Sequence, residues 1–255
     1  YGLQQCNRIL GRRPSCVTRH ASMTAAFVLS ELLSVANPEK AAFLQRFFKT
    51  GPGEYAEGDV FLGLVVPLTR SIAKANKQTP LSELQLLIES EYHEARLCAL
   101  LIVVEQFKKA SEADRKKLYD FYLDNARRIN NWDLVDVTCP HLVGLYLLDK
   151  DRTRLYELAD SDCLWEQRIA MVSTVTFIRN REYTDTLALA EKLMTHTHDL
   201  MHKAVGWMLR EVGKKDRETL TDFLEKHATR LPRTALRYAI EHYPEEQRQY
   251  FLKKK

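Results

Sequence analysis

Arg168-Ile169-Ala170-Met171-Val172 sets one cation at the head of an apolar run. The arrangement returns in Arg96-Leu97-Cys98-Ala99-Leu100-Leu101, in Lys203-Ala204-Val205-Gly206-Trp207 and in Arg237-Tyr238-Ala239-Ile240. With Trp132 filling the remaining place, Arg96, Trp132, Arg168, Lys203 and Arg237 stand 36, 36, 35 and 34 residues apart. A period of that size holds two helices and their turns. Units that each lack a closed core must stack on their neighbours, so the period predicts an all-α fold, an α-solenoid of paired helices. A residue recurring at one phase falls on one wall of the superhelix, and here that wall is expected to be mostly cationic.

The flanking sequence agrees. Helical periodicity is nearly continuous from Met23 onward. Phe27, Leu29, Leu32 and Leu33 mark one helix, and Phe43, Leu44, Phe47 and Phe48 the next. A Gly-rich connection, Lys49-Thr50-Gly51-Pro52-Gly53-Glu54-Tyr55, leads into an expected helix over 58–75. Thr79-Pro80, Leu231-Pro232 and Pro244 open helices, and Ser111 caps one with Asp114 three residues on. Gly213 is expected to close the helix holding Trp207. Only 9 Gly and 8 Pro in 255 residues leave little material for the tight turns of a sandwich or barrel.

Composition narrows the function classes. Apolar residues make up 45%, ample for a core, and no apolar run is long enough to span a bilayer, which predicts a soluble protein. The net charge is +4. Residues 1–22 carry Arg8, Arg12, Arg13 and Arg19 without an acid, so the remainder balances at 34 basic and 34 acidic residues. Only local clustering can therefore argue for nucleic acid. Residues 1–22 are expected to be an extension outside the fold, with a transit peptide as the alternative. Met23-Thr24-Ala25-Ala26 resembles a natural start, and residues 23–255 are expected to form a single repeat domain. The five cysteines, Cys6, Cys16, Cys98, Cys139 and Cys163, show no CxxC spacing and read as small thiols in a reducing compartment.

Chemistry concentrates in Asn130-Asn131-Trp132-Asp133-Leu134-Val135-Asp136. Trp132 and Asp136 are four apart and share one helix face. Trp207 lies one turn beyond Lys203 and is followed by Arg210. The inferred wall thus bears two indoles, a carboxylate and several cations. Indole faces attract cations, Arg and Lys neutralise phosphate, and a carboxylate stabilises positive charge developing on a sugar. His196, His198 and His202 have loose metal-like spacing but no completing ligand set, so they read as solvated or capping residues; no metal site is expected. Gly51-Pro52-Gly53 lacks the Lys-Ser/Thr of a phosphate-binding loop.

Four blocks in order resemble a known family. They are residues 49–63 with Pro67 and Arg70, Asn131-Trp132-Asp133-Leu134-Val135-Asp136, Leu164-Trp165-Glu166-Gln167-Arg168-Ile169-Ala170, and Lys203-Ala204-Val205-Gly206-Trp207-Met208-Leu209-Arg210. The chain is similar, over about residues 25 to 250, to the bacterial DNA alkylation-repair glycosylases of the AlkD type. The resemblance implies HEAT-like helical repeats with a concave DNA-facing groove, and hydrolysis of the N-glycosidic bond of N3- and N7-alkylated purines without flipping the base into a pocket. It implies Asp136 as the catalytic carboxylate and Trp132 and Trp207 as indoles packing on the lesion's deoxyribose and backbone. Arg168 and Tyr55 would lie beside the lesion, and Arg70, Lys203 and Arg210 on the DNA backbone. No cofactor is implied; the partner is duplex DNA containing alkylated purines, and the protein is expected to be a cytoplasmic monomer. Gln167, where a second basic residue is common, and the apolar pair Val65-Val66 depart from the pattern. The alternatives are a non-catalytic relative binding DNA structures, or a protein-interaction scaffold.

Overall fold

The computed structural model describes residues 24–254. The expected extension over residues 1–22, and Met23, lie outside the described residues. Helices α1 (Ala25–Ser34), α2 (Pro38–Phe47), α3 (Val66–Ala75), α4 (Leu81–Ile88), α5 (His93–Phe107) and α6 (Glu112–Asp124) form the first part. The short α7 (Trp132–Asp136) follows, then a π-helical turn at Pro140–Gly144. Helices α8 (Thr153–Ala159), α9 (Leu164–Ser173), α10 (Val175–Arg179), α11 (Thr184–Leu193), α12 (Asp199–Lys215), α13 (Arg217–His227), α14 (Arg233–Ala239) and α15 (Glu245–Lys253) complete it. The fold is an all-helical α-solenoid.

Its inner layer is the succession α5, α7, α9, α12 and α14, each packed on the next. These are the helices that carry the sequence period. Their apolar faces, with those of the flanking helices, make one continuous core from Ala25 to Phe251. Helix α5 is buried nearly all round, which makes it the pivot between the first helices and the repeats.

Capping follows the expected chemistry. Ser111 accepts from the Asp114 N–H at 3.2 Å, and helices begin directly after Pro80, Pro232 and Pro244. Cys98 and Cys139 are fully buried, and burial pushes the Cys98 thiol up to about 12.

Two expected boundaries are corrected. The helix anticipated over 58–75 begins only at Val66; Val60 instead bridges to Tyr92 in extended pairing. The cause is Glu94, at the start of α5, whose carboxylate accepts the N–H groups of Leu62, Gly63 and Leu64 at 2.9, 2.9 and 3.0 Å. A segment whose donors converge on a side chain has none for a helix ladder. Gly213 does not close α12, which runs on to Lys215; Gly213 is the flat spot against which Leu220 packs.

Candidate active site

Asn131 caps α7, its side chain accepting from the Trp132 N–H at 2.8 Å, and the five-residue helix directs Trp132 and Asp136 to one side. An open cleft of about 820 Å³ lies there. Trp132, Asp136, Arg168, Lys203, Trp207, Arg210 and Tyr55 all line it, joined by Phe47, Lys49 and Tyr238. Of the residues singled out from the sequence, Arg70 stands apart. It sits on α3, outside the cleft, where its charge reaches Glu105 near the far end of α5.

Asp136 and Arg168 are locked together. Arg168 donates from Nε to Asp136 Oδ1 at 2.9 Å and from Nη2 to Oδ2 at 2.8 Å, a bidentate charge-assisted pair. Its remaining arm donates to the Leu200 carbonyl at the start of α12. Arg168 is only 4% exposed, so the guanidinium is a brace behind the carboxylate. Burial pushes the Asp136 carboxyl up, and Arg168 opposes that. The Asp136 side chain keeps 15% of its surface open.

The cationic wall is more neutral than the sequence suggests. Arg96 is not on it: its guanidinium is buried, donating to the Ser90 carbonyl at 2.8 Å and ion-paired with Asp59 at 2.7 Å. Lys203 pairs with Asp199 at 2.8 Å, one turn earlier on α12, and Arg210 pairs with Glu241. The cleft is lined by four cations (Lys49, Arg168, Lys203, Arg210) and three carboxylates (Glu54, Asp136, Asp199). Repetition at one phase puts these residues on the inner layer, but local partners decide which of them face solvent.

The indole of Trp132 is held by an aromatic stack invisible to helix periodicity. Phe48 lies nearly parallel to it, with centroids 5.2 Å apart, and Phe61 lies 5.0 Å beyond. His93 stacks on Phe61 at 4.4 Å. Behind the stack, His93 Nδ1 faces Asp59 at 3.3 Å and Nε2 faces Asp133 at 2.8 Å. Burial works against the imidazolium, but the two carboxylates outweigh it and hold His93 up at about 9. Asn130 also donates to Asp59 at 2.9 Å. A sequence signal for this network exists: His93-Glu94-Ala95-Arg96 crowds charge at the head of a long apolar run, Leu97 to Val104, that the fold buries completely.

Tyr55 takes its place through the Gly-rich connection. Its ring meets Trp165 edge-on at 6.1 Å and His198 at 6.4 Å. Burial pushes its hydroxyl up, against a hydrogen bond with Trp132. His198 caps α12 by accepting the Leu200 N–H at 3.1 Å, and His202 bonds the His196 carbonyl. The three histidines are thus engaged as capping and loop residues. No cluster of three or more metal-ligating side chains is present among the described residues.

The fold and site together are those of a helical solenoid whose inner wall gathers two indoles, a braced carboxylate and cations in one open cleft. The chain belongs to the DNA alkylation repair enzyme family, whose model matches residues 28–243. Among solved structures it is similar to the predicted DNA alkylation repair enzyme from Enterococcus faecalis. That similarity has a TM-score of 0.62 at 18% identity and covers 82% of this chain and 97% of the other. It bears on the fold alone. No curated protein matches the chain. No helix among the described residues is long and apolar enough to cross a membrane.

Proposed function

We propose that this member of the family is a monofunctional DNA glycosylase that hydrolyses the N-glycosidic bond of N3- and N7-alkylated purines in duplex DNA. The observation that carries the reading is the braced, partly open Asp136 carboxylate in the same cleft as Trp132 and Trp207.

A purine alkylated at N3 or N7 already carries positive charge. When the C1′–N9 bond breaks, its electron pair neutralises the base, so no acid is needed for departure. The developing charge on the deoxyribose is what must be stabilised. A preorganised carboxylate in a site partly closed to solvent does this without reorganising, and the indole faces add cation–π attraction. Arg168 fixes the rotamer of Asp136, which holds it at the productive angle. Water then bonds to C1′ from the open side of the cleft, and its proton passes to the solvent that fills the cleft. This scheme leaves the base outside any enclosing pocket, needs no cofactor, and is consistent with a monomer. Lys49, Lys203 and Arg210 are the cations suited to phosphate along the cleft, with Arg70 as an outlying backbone contact.

The test is incubation with methylated duplex DNA and detection of free alkylpurine. Release by the wild type, lost in Asp136→Asn, supports the reading. Tight binding of duplex DNA without release would favour a non-catalytic DNA-binding relative.

A further inference from the structure

Helix α2 and its C-cap residue Phe48 present aromatic rings on two sides, and the fold uses one. Ala41, Leu44 and Phe48 turn inward to a small satellite core with Phe61 and Trp132. Phe43 and Phe47, one turn apart, turn outward at 59% and 56% exposure. Both belong to the apolar periodicity that marks this helix, yet neither is buried. Their rings are nearly parallel, with centroids 6.2 Å apart. Phe47 also lines the cleft and meets Trp132 edge-on at 6.3 Å. The aromatic surface that begins at Trp132 inside the cleft therefore continues over its lip as an open shelf. Two adjacent phenyl rings in water are costly surface that folding does not require.

We infer that Phe43 and Phe47 form a stacking platform for the nucleobase attached to the sugar held in the cleft. The inference rests on the proposed glycosylase reading and adds a subsite to it. A flat aromatic shelf suits the one component of a nucleotide that is itself flat and apolar on its faces, while the exposed Lys40 and Arg46, each within one turn of Phe43, are the groups suited to the phosphates on either side. Base–aromatic stacking is tolerant of base identity and of ring substituents, and a cationic alkylpurine adds electrostatic attraction to the ring faces. An open shelf accepts a displaced base of any size. It is also compatible with a base that never enters a closed pocket. Phe47, next to Trp132, would take the base, and Phe43 would extend the support to bulkier adducts.

The experiment compares the full-length wild type with Phe43→Ala/Phe47→Leu on two duplexes. One contains 2-aminopurine at a mismatch, the other a tetrahydrofuran abasic site that has sugar and phosphate but no base. Both side chains are exposed, so the melting temperature of the variant should match the wild type. Binding to the 2-aminopurine duplex should weaken by about tenfold more than binding to the tetrahydrofuran duplex, with a smaller change in 2-aminopurine fluorescence on binding. Phe43→Ala alone should lower release of bulky N7 adducts more than release of 7-methylguanine. Equal losses on the two duplexes would overturn the platform in favour of a backbone contact. No loss on either, with excision by the wild type intact, would overturn the platform and leave the glycosylase reading standing. Failure of the wild type to bind either duplex would sink both.

Discussion

His93 Nε2 stands 2.8 Å from Asp133 Oδ2, which ties the first turn of α5 to the helix that carries Asp136. The imidazole is buried and faces Asp59 through its other nitrogen. Its folded-state value of about 9 exceeds the unfolded one of about 6.5. Stability from this group is therefore complete below about pH 6.5 and is lost as pH rises through about 9. Burial pulls His196 and His198 down, the opposite direction from His93. The melting temperature should fall between pH 6.5 and 9.5, by the equivalent of roughly 3 kcal/mol. In His93→Gln that decline should flatten. An unchanged pH profile in the variant would show that His93 is not the group responsible.

Arg168 should behave as a brace. Its removal leaves a largely buried carboxylate without its partner, which costs about 3 kcal/mol and lowers the melting point by roughly 5–10 °C. Arg168→Lys keeps the charge but not the fork and should recover little of the loss. Since Arg168 opposes the upward push of burial on Asp136, Arg168→Gln should move the acid limb of the pH–rate profile to higher pH. A limb that stays in place would separate Arg168 from the titration of Asp136.

Asp136→Asn should reduce excision by about a hundredfold or more, because the amide keeps the shape and loses the charge that would stabilise the sugar cation. DNA affinity should hold or rise, with repulsion from phosphate removed. Stability should drop as well, since Arg168 then lies buried without an anion. Thermal unfolding and single-turnover release, measured together, distinguish a folding defect from a chemical one.

Salt dependence separates the cations. Lys203 is 41% exposed and shares its charge with Asp199 across a solvated turn. Lys203→Ala should weaken binding evenly across sequences and reduce the slope of log K against log salt by about 1. Arg168→Ala should leave that slope nearly unchanged. A larger slope change for Arg168 than for Lys203 would mean that the buried pair opens on DNA.

Gly63→Ala tests the local architecture. The residue has φ +83°, and an added Cβ would stand 2.1 Å from the Asn37 carbonyl oxygen. Strain and clash together should cost on the order of 3 kcal/mol and loosen the tie between α2 and the extended segment. Circular dichroism melting would measure it.

The stacked-helix architecture and the gathering of Trp132, Asp136, Arg168, Lys203 and Trp207 were legible because they follow from spacing. Helix phase is a local property, and a solenoid repeats it from one unit to the next. What spacing could not convey was pairing across the fold. Arg96 shares the period, yet Asp59, from a segment far away in sequence, draws it inward. Phe43 and Phe47 fit a core pattern, but α2 has only a small partner surface, which Phe48 already fills. The extended stretch before Val66 hid for the same reason: its donors are satisfied by Glu94, 30 residues on.

Arg168 joins three successive layers through one side chain: Asp136 on α7, its own helix α9, and the Leu200 carbonyl at the head of α12. A spring-like stack usually distributes its flexing over many soft interfaces. Here one stiff, buried link crosses the middle of the spring, beneath the open cleft. Any ligand that changes the pitch of the superhelix must stretch or release that link, so the pitch of the coil and the aim of the Asp136 carboxylate form one mechanical coordinate.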